Sequence, residues 1–132
     1  MISVTSKSRY AVLALAELAR SGSDPVPIAQ IAERRDMPVQ FLEQLFSTLR
    51  RDGLLTSQRG VKGGYRLARP AEEITVLDVV HALDGKVGEE AKEAGGIWEE
   101  GVDALRSVFG ATTIADIARR EAEAAGAGIY HI

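Results

Sequence analysis

The first half of the chain shows helix-type apolar spacing interrupted by short breaks. Between Thr5 and Arg20, apolar residues recur every three or four positions in an alanine-rich segment, which predicts a first helix. After a break containing a glycine and two prolines, IAQIAERRD predicts a short second helix. VQFLEQLFSTLRRDG then predicts a third helix with one apolar stripe, one polar face and a glycine C-cap.

Two short segments after the third helix, LLTSQ and GYRLA, are predicted to be β-strands joined by a stretch rich in glycine and basic residues. A nucleotide-binding loop is excluded, because here Gly-Gly-Tyr enters a strand, whereas the Walker pattern needs Gly-Lys-Ser/Thr entering a helix. Three helices followed by a two-stranded wing describe a winged helix-turn-helix. The predicted fold class is therefore mainly α with a small β wing.

The second half begins with a helix start of the form Thr-x-x-Asp at Thr75, and an amphipathic helix is predicted to run to Gly85. The segment from Lys86 to Gly96 is rich in glycine and charge with almost nothing to bury, which predicts a mobile loop. Thr113 starts a last short helix, and the residues after it, AEAAGAGIYHI, are predicted to be loosely specified.

Between these elements, IWEEGVDALRSVFG is predicted to form a helix with a large apolar stripe, which requires a partner surface. Self-association through this stripe is the simplest explanation, although part of it is also free to pack on its own domain. The predicted dimerisation residues are Ile97, Trp98, Val102, Leu105 and Phe109. The predicted domain organisation is a DNA-binding domain over 1–70, followed over 71–132 by a linking helix, the mobile loop, the dimerisation helix and a C-terminal tail.

Charge separates the two halves. Residues 1–70 carry eleven Lys and Arg against six Asp and Glu, whereas residues 71–132 carry five against thirteen. The first half, with a net charge of +5, is suited to an anionic partner. With no cysteine, the chain has no thiolate for a disulfide, a nucleophile or an iron-sulfur cluster, and no metal site or cofactor is expected. Neither a membrane span nor a signal peptide is visible, so a cytoplasmic protein is expected.

In a winged helix-turn-helix the third helix enters the major groove, and its polar face reads bases. Glutamine can pair with adenine and glutamate can accept from cytosine, which makes Gln40, Glu43 and Gln44 candidate base readers; the alternative is an ordinary solvated face. Arg59, Lys62 and Arg66 would flank the same duplex, and Gly63 and Gly64 would permit entry into the minor groove. Tyr65 is expected to pack in the core.

Phosphate contacts are predicted from basic and hydroxyl side chains. Lys7 and Arg9 lie in the first turn of the first helix, where cations oppose the helix dipole unless an anion docks there. The alternative is that they are ordinary surface charges. The full set of predicted phosphate and wing residues is Thr5, Ser6, Lys7, Arg9, Arg50, Arg51, Lys62, Gly63, Gly64 and Arg66.

Three segments, TSKSRYAVLALAELA, PVPIAQIAERRDMPVQFLEQLFSTLRRDGLL and RGVKGGYRLARP, resemble the bacterial winged-helix repressor family (Rrf2) that includes the iron-sulfur regulator IscR and the cysteine-metabolism regulator CymR. The likeness extends to the linking and dimerisation helices. It implies a homodimeric repressor that binds a palindromic operator, with Gln40, Glu43, Gln44 and Arg59 contacting bases. Family members that sense iron-sulfur status carry three cysteines before the dimer helix, and KVGEEAKEAGG has none.

The resemblance therefore favours the cluster-free, CymR-like branch, which implies control by the enzyme O-acetylserine sulfhydrylase. That enzyme accepts C-terminal peptides ending in isoleucine, so Ile129, Tyr130 and Ile132 are a predicted partner-binding tail; the alternative is a short tail that folds onto the dimer helix. Two alternatives stay open: a repressor that senses a small molecule directly, and a winged-helix module that binds protein rather than DNA. An enzyme is not expected, because no catalytic constellation is visible.

Overall fold

The computed structural model describes residues 4–88 and 91–130, without the side chains of residue 92 and of residues 127–130. The elements follow in the order α1 (Ser6–Arg20), α2 (Ile28–Arg35), α3 (Val39–Arg51), β1 (Leu55–Gln58), β2 (Gly64–Leu67), a 3-10 turn (Ala71–Glu73), α4 (Val76–Asp84), α5 (Ala91–Ala94), α6 (Gly96–Ala111) and α7 (Ile114–Tyr130). Seven helices and a two-stranded antiparallel sheet confirm the predicted fold class for the described residues.

One apolar core holds the first three helices together. The inner face of α1 contributes Leu15 and Leu18, and α2 contributes Ile31. The whole apolar stripe of α3 is buried in the same core: Leu42, Leu45, Phe46 and Leu49. Because every apolar residue of that stripe points inward, the opposite face of α3 is polar and exposed.

The wing is a short hairpin that lies against this core. Its strands pair in register from Leu55 opposite Leu67 to Gln58 opposite Gly64. Tyr65 packs edge-on against Phe46, with ring centroids 4.9 Å apart, which confirms that the wing tyrosine is a packing residue. Val26 also pairs with Tyr65 through two backbone hydrogen bonds of 2.8 and 2.9 Å. The hairpin is therefore fixed to the loop between α1 and α2 as well as to α3.

The starts of α4 and α7 are joined by backbone pairing. Val76 donates its amide to the carbonyl of Thr112, and Ile114 donates to the carbonyl of Ile74, at 2.9 and 2.8 Å. Each helix begins with a reciprocal capping box, Thr75 with Asp78 and Thr113 with Asp116. Both helix starts predicted from the Thr-x-x-Asp pattern are confirmed.

The chain beyond residue 70 shares the core of the chain before it. Ile74, Val79 and Ile114 are buried in the same cluster as α1 and α3, and α7 packs along α1. The boundary at residue 70 thus does not separate two cores. Within the described residues, no helix combines the length and apolar composition that crossing a membrane requires.

Two predictions for the second half are wrong. The segment after α4 was expected to have almost nothing to bury, yet Val87 and Ala91 are buried against Val80 and Val102, and α5 forms within it. Arg106 holds this segment by donating to the Val87 carbonyl at 2.6 Å. The last helix is not short, since α7 continues to Tyr130 through the run that was expected to be loosely specified. Its alanines have high helix propensity and outweigh the glycines.

Candidate nucleic-acid interface

The outer face of α3 presents a row of polar side chains to solvent. The predicted base readers Gln40, Glu43 and Gln44 are all exposed and line one open depression. Ser47, Thr48 and Arg51 complete its lining. The sequence pattern already places Ser47, Thr48 and Arg51 on the polar face of this helix, although it did not select Ser47 and Thr48 as DNA contacts.

The turn between α2 and α3 fixes how this face points outward. Asp36 ends α2 in the left-handed conformation, with a φ of 53°, and the amide of Met37 donates to the carbonyl of Ala32 at 2.9 Å. Met37 is buried, and Pro38 precedes the first residue of α3. An aspartate tolerates this backbone better than most residues, so the turn is short and defined.

The wing carries two exposed cations at its tip, Arg59 and Lys62, on either side of a fully exposed Val61. Arg50 is exposed as well. Its guanidinium donates to the Ser57 hydroxyl at 3.1 Å and so links the end of α3 to β1. Its predicted phosphate contact stays a prediction.

Gly63 and Gly64 were predicted to permit entry into the minor groove, and the structure gives them an internal role. A Cβ at Gly64, whose φ is 152°, would lie 2.3 Å from the carbonyl carbon of Val26. A Cβ at Gly63 would lie 2.2 Å from the Gln58 carbonyl oxygen. Only glycine fits these close approaches, which close the hairpin and fix it to Val26.

Arg66 does not lie with the α3 face. It follows Tyr65, and successive strand residues point to opposite faces, so Arg66 points away from the core. It lines a second depression with Gly22, Arg69 and Glu72, near the C-terminal end of α1. The expectation that Arg66 flanks the same duplex face as Arg59 and Lys62 is therefore not supported.

The N-terminal end of α1 is already occupied by an anion from the same chain. Thr5 donates its amide and its hydroxyl to the two carboxylate oxygens of Asp84, at 2.9 and 2.6 Å, and the buried Ser8 donates its hydroxyl at 2.5 Å. Partial burial raises the pKa of Asp84, but the hydrogen bonds from Ser8 and Thr5 and the charge of Lys7 lower it more, so the net shift is downward. Thr5 is thus engaged by Asp84, which corrects its predicted phosphate contact. Ser6, Lys7 and Arg9 remain exposed.

The predicted dimerisation stripe of α6 is divided. Val102 is only 2% exposed, because it packs in its own chain against Val80 and Val87, and Leu105 and Phe109 are half-buried against the same cluster. This corrects the prediction for Val102. Ile97 and Trp98, by contrast, are 72% and 49% exposed.

Val108, which sequence reasoning did not select, is 61% exposed. Eleven residues make three turns of helix, so Val108 lies on the same face as Ile97. The helical spacing in the sequence therefore indicates that Val108 lies on the same face of α6 as Ile97.

An apolar cleft of about 400 Å³ lies where α1, α4, α6 and α7 meet. Val12, Leu13, Val80 and Phe109 are among its lining residues, and its charged lining residues are Arg9 and Arg120. The remaining lining residues are Val4, Ser8, Val76, Val108, Thr112 and Ile117.

Of the predicted tail, Ile132 lies outside the described residues, as do the side chains of Ile129 and Tyr130.

Comparisons with known proteins agree with this arrangement. IscR of Xenorhabdus nematophila, an HTH-type transcriptional regulator, is 37% identical over 131 residues, which cover 89% of this chain and 80% of that protein. IscR of Photorhabdus laumondii is 49% identical over 85 residues, and there the chain spans about half of the relative, 52%. Among solved structures, CymR of B. subtilis, described as the global cysteine regulator, gives a TM-score of 0.80 at 32% identity, covering 91% of this chain and 98% of that one. The T. potens IscR structure gives 0.79 at 36%, covering 93% and 90%.

The family profile that matches residues 4–120 is described as Rrf2, iron-dependent transcriptional regulator. The residues that the structure describes do not fit an iron or iron-sulfur centre. The sequence has no cysteine, and within residues 4–88 and 91–130 no group of three or more His, Asp or Glu could hold a metal ion. The profile match covers most of the chain and the relatives are regulators, not enzymes. The chain therefore belongs to the Rrf2 family of transcriptional regulators.

Proposed function

We propose that this regulator is a homodimeric, sequence-specific DNA-binding repressor that acts in the cytoplasm. The observation that carries the proposal is the exposed polar face of α3 beside a wing whose tip carries Arg59 and Lys62. A helix that buries its entire apolar stripe and presents glutamines and a glutamate can enter a major groove without losing core contacts. Arg51, Lys7 and Arg9 supply further positive charge for phosphates.

Dimerisation is proposed through the exposed part of α6, centred on Ile97, Trp98 and Val108, with the half-buried Leu105 and Phe109 at its edge. A two-fold dimer presents two copies of α3 about 34 Å apart, or a multiple of this distance, and so recognises a palindrome.

The test uses a duplex selected by the wild-type protein from a random library, with affinity measured at several salt concentrations. Gln44→Ala and Arg59→Ala are each expected to weaken binding about tenfold to a hundredfold, because each removes a base contact. Arg69→Ala, which removes a cation from the depression beside Arg66, is the matched control and is expected to have a small effect. Binding that does not weaken with salt, or that survives loss of both Gln44 and Arg59, would support the protein-binding module instead.

The regulated genes are proposed to be those of cysteine and sulfur metabolism, with O-acetylserine sulfhydrylase as the controlling partner. One support is the likeness to CymR, which is described as the global cysteine regulator of B. subtilis. The other is that the sequence has no cysteine to bind an iron-sulfur cluster, which favours the cluster-free branch of the family. The proposed partner contact is the tail at Ile129, Tyr130 and Ile132. Adding the sulfhydrylase to the protein–DNA complex is expected to change DNA affinity, and a variant lacking Ile132 is expected to lose that response.

The apolar cleft favours a second candidate, in which the repressor senses a small molecule directly. Its volume lies in the range of ligand pockets, and Arg9 and Arg120 could pair with an acidic group on an apolar molecule. Fatty acids of increasing chain length are suitable probes. A ligand-dependent change in DNA affinity that is lost in Leu13→Trp, which fills the cleft, would support this candidate over control by a partner enzyme.

A further inference from the structure

A cluster of charged side chains links the C-terminal helix α7 to α2, the helix that precedes the turn into α3. Arg35, the last residue of α2, donates from its two terminal nitrogens to both carboxylate oxygens of Glu121 on α7, at 2.6 and 2.9 Å. Its Nε donates to Glu17 on α1 at 3.0 Å. One guanidinium therefore joins three helices.

This cluster differs from an ordinary surface ion pair. The side chains of Arg35 and Glu121 are only 14% and 23% exposed, and the contact uses both ends of the carboxylate. Planar two-point pairing of this kind fixes the relative orientation of the two groups as well as their distance. The hydrogen bond and the charge of Arg35 lower the pKa of Glu121, so the carboxylate is ionised at neutral pH.

Arg35 lies immediately before the turn that leads into α3. Asp36 and Pro38, which form the turn into α3, follow it directly, and the depression of predicted base readers begins at Gln40. Only three residues therefore separate Arg35 from the start of α3. Glu121, in turn, lies beyond the part of α7 whose Ile117 packs against the core.

We propose that Glu121 is a positioning residue for DNA recognition, acting through Arg35 to orient the turn between α2 and α3, so that α7 is part of the DNA-binding unit. The inference rests on the proposed DNA-binding function and adds a contact by which α7 influences the orientation of α3. Anything that moves α7 then changes the orientation of α3. The alternative for Arg35 is a direct phosphate contact that Glu121 masks.

The experiment compares the affinity of the full chain for the selected duplex and for a scrambled duplex. Glu121→Gln keeps the shape of the side chain but removes its charge. It is expected to weaken binding to the selected duplex about three- to thirtyfold, with little change for the scrambled one. The slope of affinity against salt is expected to stay constant, because no phosphate contact is lost. Arg35→Lys, which keeps the charge without the two-point geometry, is expected to lose affinity in the same way.

Two variants on the same helix serve as controls. Glu123→Gln makes the same charge change two residues later, at an exposed position, and is expected to leave both affinities unchanged. Asp116→Asn weakens the capping box at the start of α7, so it lowers stability without touching Arg35. Thermal melting of all variants shows whether Glu121→Gln and Asp116→Asn are comparably destabilised.

The outcomes separate the explanations. Tighter binding by Glu121→Gln, together with a salt slope reduced by about one in Arg35→Gln, would show that Arg35 is a masked phosphate contact and would overturn the proposal. Unchanged binding by Glu121→Gln, or an equal loss in Asp116→Asn, would also overturn it. If the wild-type protein itself shows no preference for any selected duplex, the proposed DNA-binding function fails.

Discussion

Helices α3 and α6 are both amphipathic, but they use their apolar stripes differently. In α3 the whole stripe is buried in its own chain, and the exposed face is polar. In α6 Val102 is buried, whereas Ile97 and Trp98 remain exposed. Periodicity is therefore enough to recognise a helix, whereas the surface that covers its apolar face depends on the rest of the molecule. The exposed apolar residues of α6 are the part that a second molecule would cover.

The largest expected effect tests the α3 side of this comparison. Phe46 is fully buried, and its ring contacts Tyr65 of the wing. Phe46→Ala removes that ring. The free energy of unfolding is expected to fall by about 3–5 kcal/mol, because the lost burial is accompanied by a cavity. Urea denaturation followed by circular dichroism measures this change.

The same truncation on α6 is the matched comparison. Trp98→Ala is expected to change the unfolding free energy of the monomer by only about 0.5 kcal/mol. It is expected to shift the monomer–dimer equilibrium toward monomer in sedimentation experiments. If Trp98→Ala destabilised the monomer as much as Phe46→Ala, the two helices would not differ in the way the structure indicates.

The wing gives the next largest effect, and it tests whether close contacts within the chain hold the hairpin in place. Gly64→Ala places a Cβ 2.3 Å from the backbone of Val26, at a φ of 152°, and is expected to cost about 3 kcal/mol in unfolding free energy. Gly60→Ala also has a positive φ, of 111°, but its Cβ points into open space, so about 1 kcal/mol is expected. Equal costs at the two positions would show that the Val26 contact does not hold the wing in place.

These residues show how far the sequence alone could lead. The order of helices and strands, the capping boxes at Thr75 and Thr113, and the polar face of α3 all follow from local patterns, because neighbouring residues determine them. The contacts of Gly64 with Val26, of Thr5 with Asp84 and of Arg35 with Glu121 join segments distant in the chain. Local patterns contain no information about such pairs.

The burial of Val102 also depends on segments distant in the chain. Its spacing on α6 places it with the other apolar residues, and only the fold shows that Val80 and Val87 cover it. The pattern of three helices and a wing predicted α3 as a recognition helix, and the family resemblance implied the same role. Neither the pattern nor the resemblance revealed that Arg50 links to Ser57 or that Arg66 lies in another depression, because these are contacts between separate segments of the chain.

The smallest effect concerns polar groups at the start of α1, which are paired within the chain. Asp84 is the last residue of α4, where a negative charge opposes the helix dipole, yet it accepts three hydrogen bonds at the start of α1. Asp84→Asn is expected to lower the unfolding free energy at pH 7 by about 1 kcal/mol, a modest value because the site is partly open to solvent.

The pH dependence gives this prediction its sign. Since the pKa of Asp84 is lowered by folding, its contribution is fully present above the unfolded value of 3.8 and is lost as the pH falls through the lower folded value. The difference between wild type and Asp84→Asn is therefore expected to shrink between pH 5 and pH 2. Asp103→Asn, an equal charge change on the exposed surface of α6, is expected to show almost no difference at either pH. If the difference stayed constant across this range, the negative charge of Asp84 would not contribute to the free energy of unfolding. The hydrogen bonds at the start of α1 would then stabilise the protein equally well without that charge.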